Sequence, residues 1–281
     1  HVRSRRQRQM CIRDRLSTVS AMSWLPGPAQ HMFQRAGGIA CSAGDAERNW
    51  EVTIVPDAKA VIAGATERQG FWGEAASCEN GHCGFELPDG DVLLSATVVD
   101  PDLGADDTSP IEEALRGIAA SAASSTREVE YVASDIVGAP CERFVTPEQV
   151  DAAFGVSDAA LFTDFGGWGI PAEVYEVVNG SRICYFKSAG SEYEGSSYLM
   201  LTTLPAGAWA FEKLDGDPVE VEGADAAKAS EGQNGENILD VRVGPDWIRL
   251  MTYDNGSGAA DPAPLAEKVV RNFTVGHTAP E

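Results

Sequence analysis

The feature that most constrains this chain is an internal duplication. Residues Glu79 to Leu115 align with Gln233 to Val269 without a gap, at a constant offset of 154. Asn80-Gly81 falls on Asn234-Gly235, Gly90 on Gly244, Asp100 on Asp254, Gly104 on Gly258, Asp107 on Asp261, Pro110 on Pro264 and Glu113 on Glu267. These are turn-formers, helix starts and strand positions, the residue types that set a backbone path rather than perform chemistry. The chain is therefore expected to fold twice into one scaffold.

Residues 1–15 are set aside from the fold. Met10-Cys11-Ile12-Arg13-Asp14-Arg15 is similar to the translation of a transposon-end sequencing adaptor, and Arg3, Arg5, Arg6 and Arg8 fit the same origin. The alternative is a basic arm for nucleic acid or membrane. These residues hold six Arg and one Asp, so without them the net charge moves from −22 to −27. The expected layout is this scar at 1–15, an N-terminally truncated first repeat at 16–126, a linker at 127–139 and a second repeat at 140–281. So negative a chain repels nucleic acid and anionic lipid. No window reaches the roughly 18 apolar residues needed to span a bilayer.

The second copy is the fuller one. Thr146-Pro147-Glu148-Gln149 reads as a helix start and Gly155 as its stop. A Gly- and aromatic-rich loop follows, with Phe162, Phe165 and Trp168. Arg182–Lys187 and Tyr198–Leu204 read as strands, and Ala208–Leu214 as a short helix. Residues 215–237 are expected to be a loop with at most one helical turn. Leu239, Val241 and Val243 alternate with Asp240 and Arg242, a half-buried strand. Trp247–Tyr253 returns across the turn Gly244-Pro245-Asp246, and Pro264 opens a closing helix with Leu265, Val269 and Phe273 on its stripe. In the first copy the same plan appears as strand Trp50–Val55, helix Asp57–Ala63, hairpin Gly84–Leu87 with Val92–Val99, and a helix capped by Ser109 with Glu112. The expected fold class is α+β: two tandem antiparallel-sheet domains with helices on one face, α-β-β-α-β-β-α per copy.

The repeat also orders the cysteines. Apart from Cys11, the chain has Cys41, Cys78, Cys83, Cys141 and Cys184. Cys41 and Cys184 occupy equivalent places. Cys184 is expected to bond Cys141, Cys78 to bond Cys83, and Cys41 to stand alone, its partner lost upstream. Such pairing implies an oxidising compartment. The alternative is a set of buried free thiols in a cytoplasmic protein.

Other candidate chemistry is sparse. Cys78, His82 and Cys83 form half of a metal site at most. Asp100, Asp102 and Asp106 have the spacing of a calcium loop, but the expected glutamate is out of register and the second copy lacks two of the three. The four histidines, His1, His31, His82 and His277, sit in no nucleophile motif. No cofactor is expected, and the chain leans away from being an enzyme. The loop at Phe165 and Trp168, or the groove between the copies, is the expected ligand site.

Pro140-Cys141-Glu142-Arg143-Phe144-Val145-Thr146-Pro147, followed by Arg182-Ile183-Cys184-Tyr185, resembles uncharacterised actinobacterial cell-envelope lipoproteins and related extracellular sensor-type domains. One departure stands out: Tyr185 is matched by Ser42 in the first copy. The resemblance implies an exported protein of unknown function, attached to a membrane only through a lipid anchor upstream of this chain. The duplicated scaffold residues, the cysteine pattern and the lack of a catalytic cluster lead to the expectation of a non-catalytic tandem-domain protein that binds an envelope protein or a small ligand. The alternatives are an envelope hydrolase whose residues converge only in the fold, and a structural surface component.

Overall fold

The computed structural model describes residues 27–45, 47–71, 73–124, 132–162, 169–190, 195–255 and 258–275. The chain divides into two compact units. The first is formed by residues Gln30–Glu130 with Gly167–Val174, the second by Gly27–Ala29, Tyr131–Gly166 and Tyr175–Glu281.

In the first unit, a helical turn α1 (Met32–Arg35) precedes strands β1 (Ile39–Gly44) and β2 (Asn49–Pro56), helix α2 (Ala58–Glu67), strands β3 (Ala75–Glu79), β4 (His82–Asp89) and β5 (Val92–Val99), and helix α3 (Thr108–Ala123). The sheet is antiparallel in the order β1-β2-β5-β4-β3. One face carries Val52, Ile54, Phe85, Leu87, Leu94 and Ala96, and α3 packs Leu115, Ala119 and Ala122 against it.

The second unit begins with α4 (Cys141–Phe144) and α5 (Pro147–Phe154), continues through β6 (Ala159–Phe162), β7 (Ile183–Ser188), β8 (Ser197–Leu204), α6 (Ala208–Phe211), β9 (Asp217–Val219), β10 (Ala226–Glu231), β11 (Asn237–Val243) and β12 (Asp246–Thr252), and ends in α7 (Ala263–Val275). Thr146, Pro147 and Gly155 bound α5 as expected: the Thr146 N–H donates to Gln149 Oε1 (3.0 Å), and Gly155 takes the left-handed conformation at φ 68°. The sheet order is β6-β7-β8-β12-β11-β10-β9. Its core joins Leu199, Leu201, Leu239, Val241, Ile248 and Leu250 to Leu265, Val269 and Phe273 of α7.

Both copies therefore contain one five-stranded order, β1-β2-β5-β4-β3 matching β7-β8-β12-β11-β10. The match holds residue by residue. A single cross-strand row reads Cys41–Val52–Ala96–Phe85–Ala76 in the first sheet. The equivalent row reads Cys184–Leu201–Leu250–Leu239–Ala229 in the second. Register of this kind is dictated by which face is buried, because a one-residue slip would turn every apolar side chain to the wrong side.

Four expectations change. Residues 215–237 are not a loop: they hold β9 and β10. Each copy has a third strand in the second half, β3 or β10, built from Ala-Ala-Ser-Cys-Glu or Ala-Ala-Lys-Ala-Ser-Glu. Neither stretch favours strand by composition, so pairing with β4 or β11 decides it. Ser109 does not cap α3. The helix starts at Thr108 after a 3₁₀ turn, and Asp107 Oδ2 accepts the Gly104 N–H (2.9 Å). Finally, Cys41 is disulfide-bonded rather than alone. Cys141–Cys184 and Cys78–Cys83 are bonded as expected, at Cα separations of 5.6 and 4.0 Å.

Candidate functional site

The long helices cover one face of each sheet, and comparing the opposite faces isolates what is special to the second copy. Strand side chains alternate, so Trp247, Arg249 and Met251 point away from the face that carries Ile248 and Leu250.

Nearest the α6 end, Trp247 packs with Leu204, Ala210 and Phe211 and is fully buried. The next row is polar: Lys228–Asp240–Arg249–Thr202. The sequence pattern placed Asp240 on a solvent-facing side, yet it is 1% exposed. Its carboxylate accepts Arg249 Nε–H on Oδ1 (2.7 Å), Arg249 Nη2–H on Oδ2 (2.8 Å) and Trp247 Nε1–H on Oδ1 (2.7 Å). This is the bidentate geometry that a planar guanidinium offers. Lys228 Nζ donates to the carbonyls of Leu214 (2.6 Å) and Phe211 (3.4 Å), so it finishes the turn after α6. Gly27 closes over the pair at φ 110°, where a Cβ would stand 2.7 Å from Arg249 Nη1. Only glycine meets both demands there. The first copy places Glu86–Ser95–Thr53 at the same register. There Ser95 Oγ–H donates to Glu86 Oε2 (2.6 Å). Burial raises the Glu86 carboxyl above its ordinary range, and the serine hydroxyl opposes this. Both copies thus hold a partnered acid at this point, which marks it as part of the scaffold.

The following row separates the copies. In the second sheet it reads Phe162–Tyr185–Met200–Met251–Ile238. In the first sheet, Ser42–Glu51–Thr97–Gly84 stands where the second has Tyr185–Met200–Met251–Ile238; among the described residues β6 and its Phe162 have no counterpart there, and the next place is serine in both sheets, Ser77 and Ser230. Tyr185, Met200 and Met251 are half-buried and Ile238 is buried, whereas in the first sheet Ser42 is half-buried and Glu51, Thr97 and Gly84 are exposed. Tyr185 meets Phe162 and Tyr253 edge to face, with ring centroids 6.4 and 6.1 Å apart. Lys187 Nζ stands 4.4 Å above the Phe162 ring. Burial, with Tyr185 and Glu236 nearby, raises the Tyr253 hydroxyl above its ordinary range, so it stays a neutral donor. A cavity of about 270 Å³ opens at the Phe162 end, lined by Ala160, Leu161, Phe162, Lys187 and Ser188. Polarisable methionines beside aromatic rings suit adaptable apolar contacts. Sequence reasoning noticed the Tyr185/Ser42 exchange and placed Phe162 in a loop, whereas it lies on β6; the pairing register gathers the whole row from five strands.

The other expected site residues fall elsewhere. Phe165 and Trp168 lie outside the described residues. Arg48 occupies the Asp100–Asp102 turn: its Nε is 3.2 Å from Asp100 Oδ1, and its guanidinium also pairs with Asp102. Asp106 lies in the 3₁₀ turn Ala105–Asp107. Among the described residues, no group of three or more His, Cys, Asp or Glu is arranged to hold a metal. Cys78 and Cys83 are bonded to each other, which removes them as ligands. His82 is exposed at the end of the hairpin, and His31 Nδ1 lies 3.4 Å from Gln34 Oε1. No helix among the described residues is long and apolar enough to cross a membrane.

Comparison of the chain with family models, with curated proteins and with solved structures returned no match.

Proposed function

We propose that this is a non-catalytic, exported envelope protein whose second copy binds an apolar partner or ligand through the row Phe162–Tyr185–Met200–Met251–Ile238. The observation that carries this reading is the contrast between the copies. The scaffold is built twice, and its first copy has Ser42, Glu51 and Thr97 where the second has Tyr185, Met200 and Met251. The apolar row is therefore no requirement of the fold. Its side chains are of the types enriched in binding surfaces. Two cross-links within single domains favour an oxidising compartment, hence export. The resemblance to actinobacterial envelope lipoproteins agrees with that location.

The test exchanges copy-one residues into copy two: Tyr185→Ser, Met200→Glu and Met251→Thr together. Immobilised wild-type protein and this triple variant are exposed side by side to detergent-solubilised envelope material and to a lipid extract. A species held by the wild type and released at least tenfold by the variant, with far-ultraviolet circular dichroism unchanged, is the expected result. Equal retention by both proteins rejects the row as the binding surface. Turnover of ester, amide or glycoside substrates by the wild type rejects the non-catalytic reading.

A further inference from the structure

The geometry points to a second binding site, on the first copy: we infer that the outer edge of β3 accepts an extended, basic peptide segment of a partner as a sixth antiparallel strand. This site does not depend on the apolar row of the second copy.

The argument begins with the hairpin. Asn80 (φ 52°) and Gly81 (φ 80°) form a two-residue turn between Glu79 and His82. Both central residues have positive φ, as a tight hairpin turn matched to strand twist requires. Glu79–His82 is then a hydrogen-bonded pair, and pairs alternate from there. Cys78–Cys83 falls on a non-hydrogen-bonded pair, in agreement with its 4.0 Å Cα separation. Ala76–Phe85 is the next of the same kind. The N–H and C=O of Ala76 and Cys78 therefore point away from β4. Sheet order places β3 at the edge, and among the described residues no strand pairs with that side.

The second copy shows what the same edge takes. There β9 lies along β10, with Ala229 opposite Asp217 and Ala227 opposite Val219. Ala229 is the register equivalent of Ala76, since both close the row that runs through Phe85 or Leu239. Pro218 sits opposite Lys228, where no donor is needed. The scaffold thus accepts an antiparallel extended segment here and, among the described residues, supplies one only in the second copy. In the first copy the corresponding stretch of chain is spent on α2, which runs ten residues against four in α6. The Cys78–Cys83 bond staples this uncovered edge strand to the sheet, and the second copy has no cysteine at either place.

Charge selects the occupant. Glu79 is exposed at the end of the edge strand; Glu74, exposed just before it, already pairs with Arg116, and Glu51 lies exposed on β2 of the same sheet. Another copy of this chain would bring the same carboxylates and a net charge of −22. A segment carrying Lys or Arg at alternate positions gains where a second copy is repelled. Backbone pairing supplies the binding, as in other strand-addition complexes.

The test uses the intact ¹⁵N-labelled chain and two capped nine-residue peptides, one alternating Lys with Val and Thr, the other with Glu in place of Lys. The basic peptide should shift the Ala76 and Cys78 amide signals saturably, and the acidic one should bind at least tenfold more weakly. Ala76→Pro removes an outward N–H that β4 does not use; it should abolish these shifts and leave the melting temperature within about two degrees. If that variant melts lower, a basic peptide N-methylated at alternate residues replaces it and should fail to bind the wild type. The triple variant of the apolar row should bind the basic peptide normally, which separates this site from the proposed function. Unshifted Ala76 and Cys78 amides, equal binding by Ala76→Pro and by the N-methylated peptide, or concentration-dependent self-association through this edge would each overturn the inference.

Discussion

Replacing Arg249 by methionine tests the polar row of the second sheet. The Asp240 and Arg249 side chains are 1% and 11% exposed. The change deletes both guanidinium contacts, at 2.7 and 2.8 Å, and leaves Trp247 Nε1 as the one side-chain donor to the Asp240 carboxylate. Breaking a buried pair from one side costs about 3–5 kcal/mol, most of it the stranded charge. In a domain of this size, that corresponds to a drop in melting temperature of about 6–20 °C. Asp240→Leu should cost a similar amount, by stranding the guanidinium. The double variant should cost far less than the sum, because an apolar pair of similar volume is often neutral. A coupling energy of at least about 2 kcal/mol is expected from urea unfolding followed by tryptophan fluorescence, with Trp247 as a reporter inside the cluster. A single-variant loss under about 1 kcal/mol would refute the claim that this pair is desolvated, and additive losses would refute the claim that the two groups depend on each other.

Two further outcomes follow from the first copy and the cross-links. Burial raises the Glu86 carboxyl. The fold therefore favours its protonated form, and this contribution is complete below the ordinary glutamate pKa and fades as pH rises through the folded value. Glu86→Gln should thus be more stable than the wild type at neutral pH, with the gap closing near pH 4 in urea titrations; a gap independent of pH refutes the assignment to ionisation. Removing Cys141–Cys184, which spans 43 residues, should cost about 4 kcal/mol in the chain-entropy account, against about 2 kcal/mol for Cys78–Cys83, which spans 5. Paired alanine variants compared by denaturant midpoint check the order, and a reversed order shows that local strain or edge protection outweighs loop entropy.

The duplication, the helix limits at Thr146 and Gly155, the hairpin at Gly244 and the two cross-links were all legible in the residues. Each rests on local chemistry: positive φ at glycine, an N-cap, a period of two or 3.6, or cysteines in equivalent places. Strands β3, β9 and β10 were not legible, since alanine-rich segments become strands only when a neighbour supplies the ladder. Asp240 looked solvent-facing for a similar reason. Alternation shows which side chains share a face, but not whether that face is covered. Only the tertiary structure decided that, by laying Trp247, Arg249 and the Gly27 segment over it. The apolar row lay further still from view, because Phe162, Tyr185, Met200, Ile238 and Met251 are scattered over some ninety residues and meet only through cross-strand register.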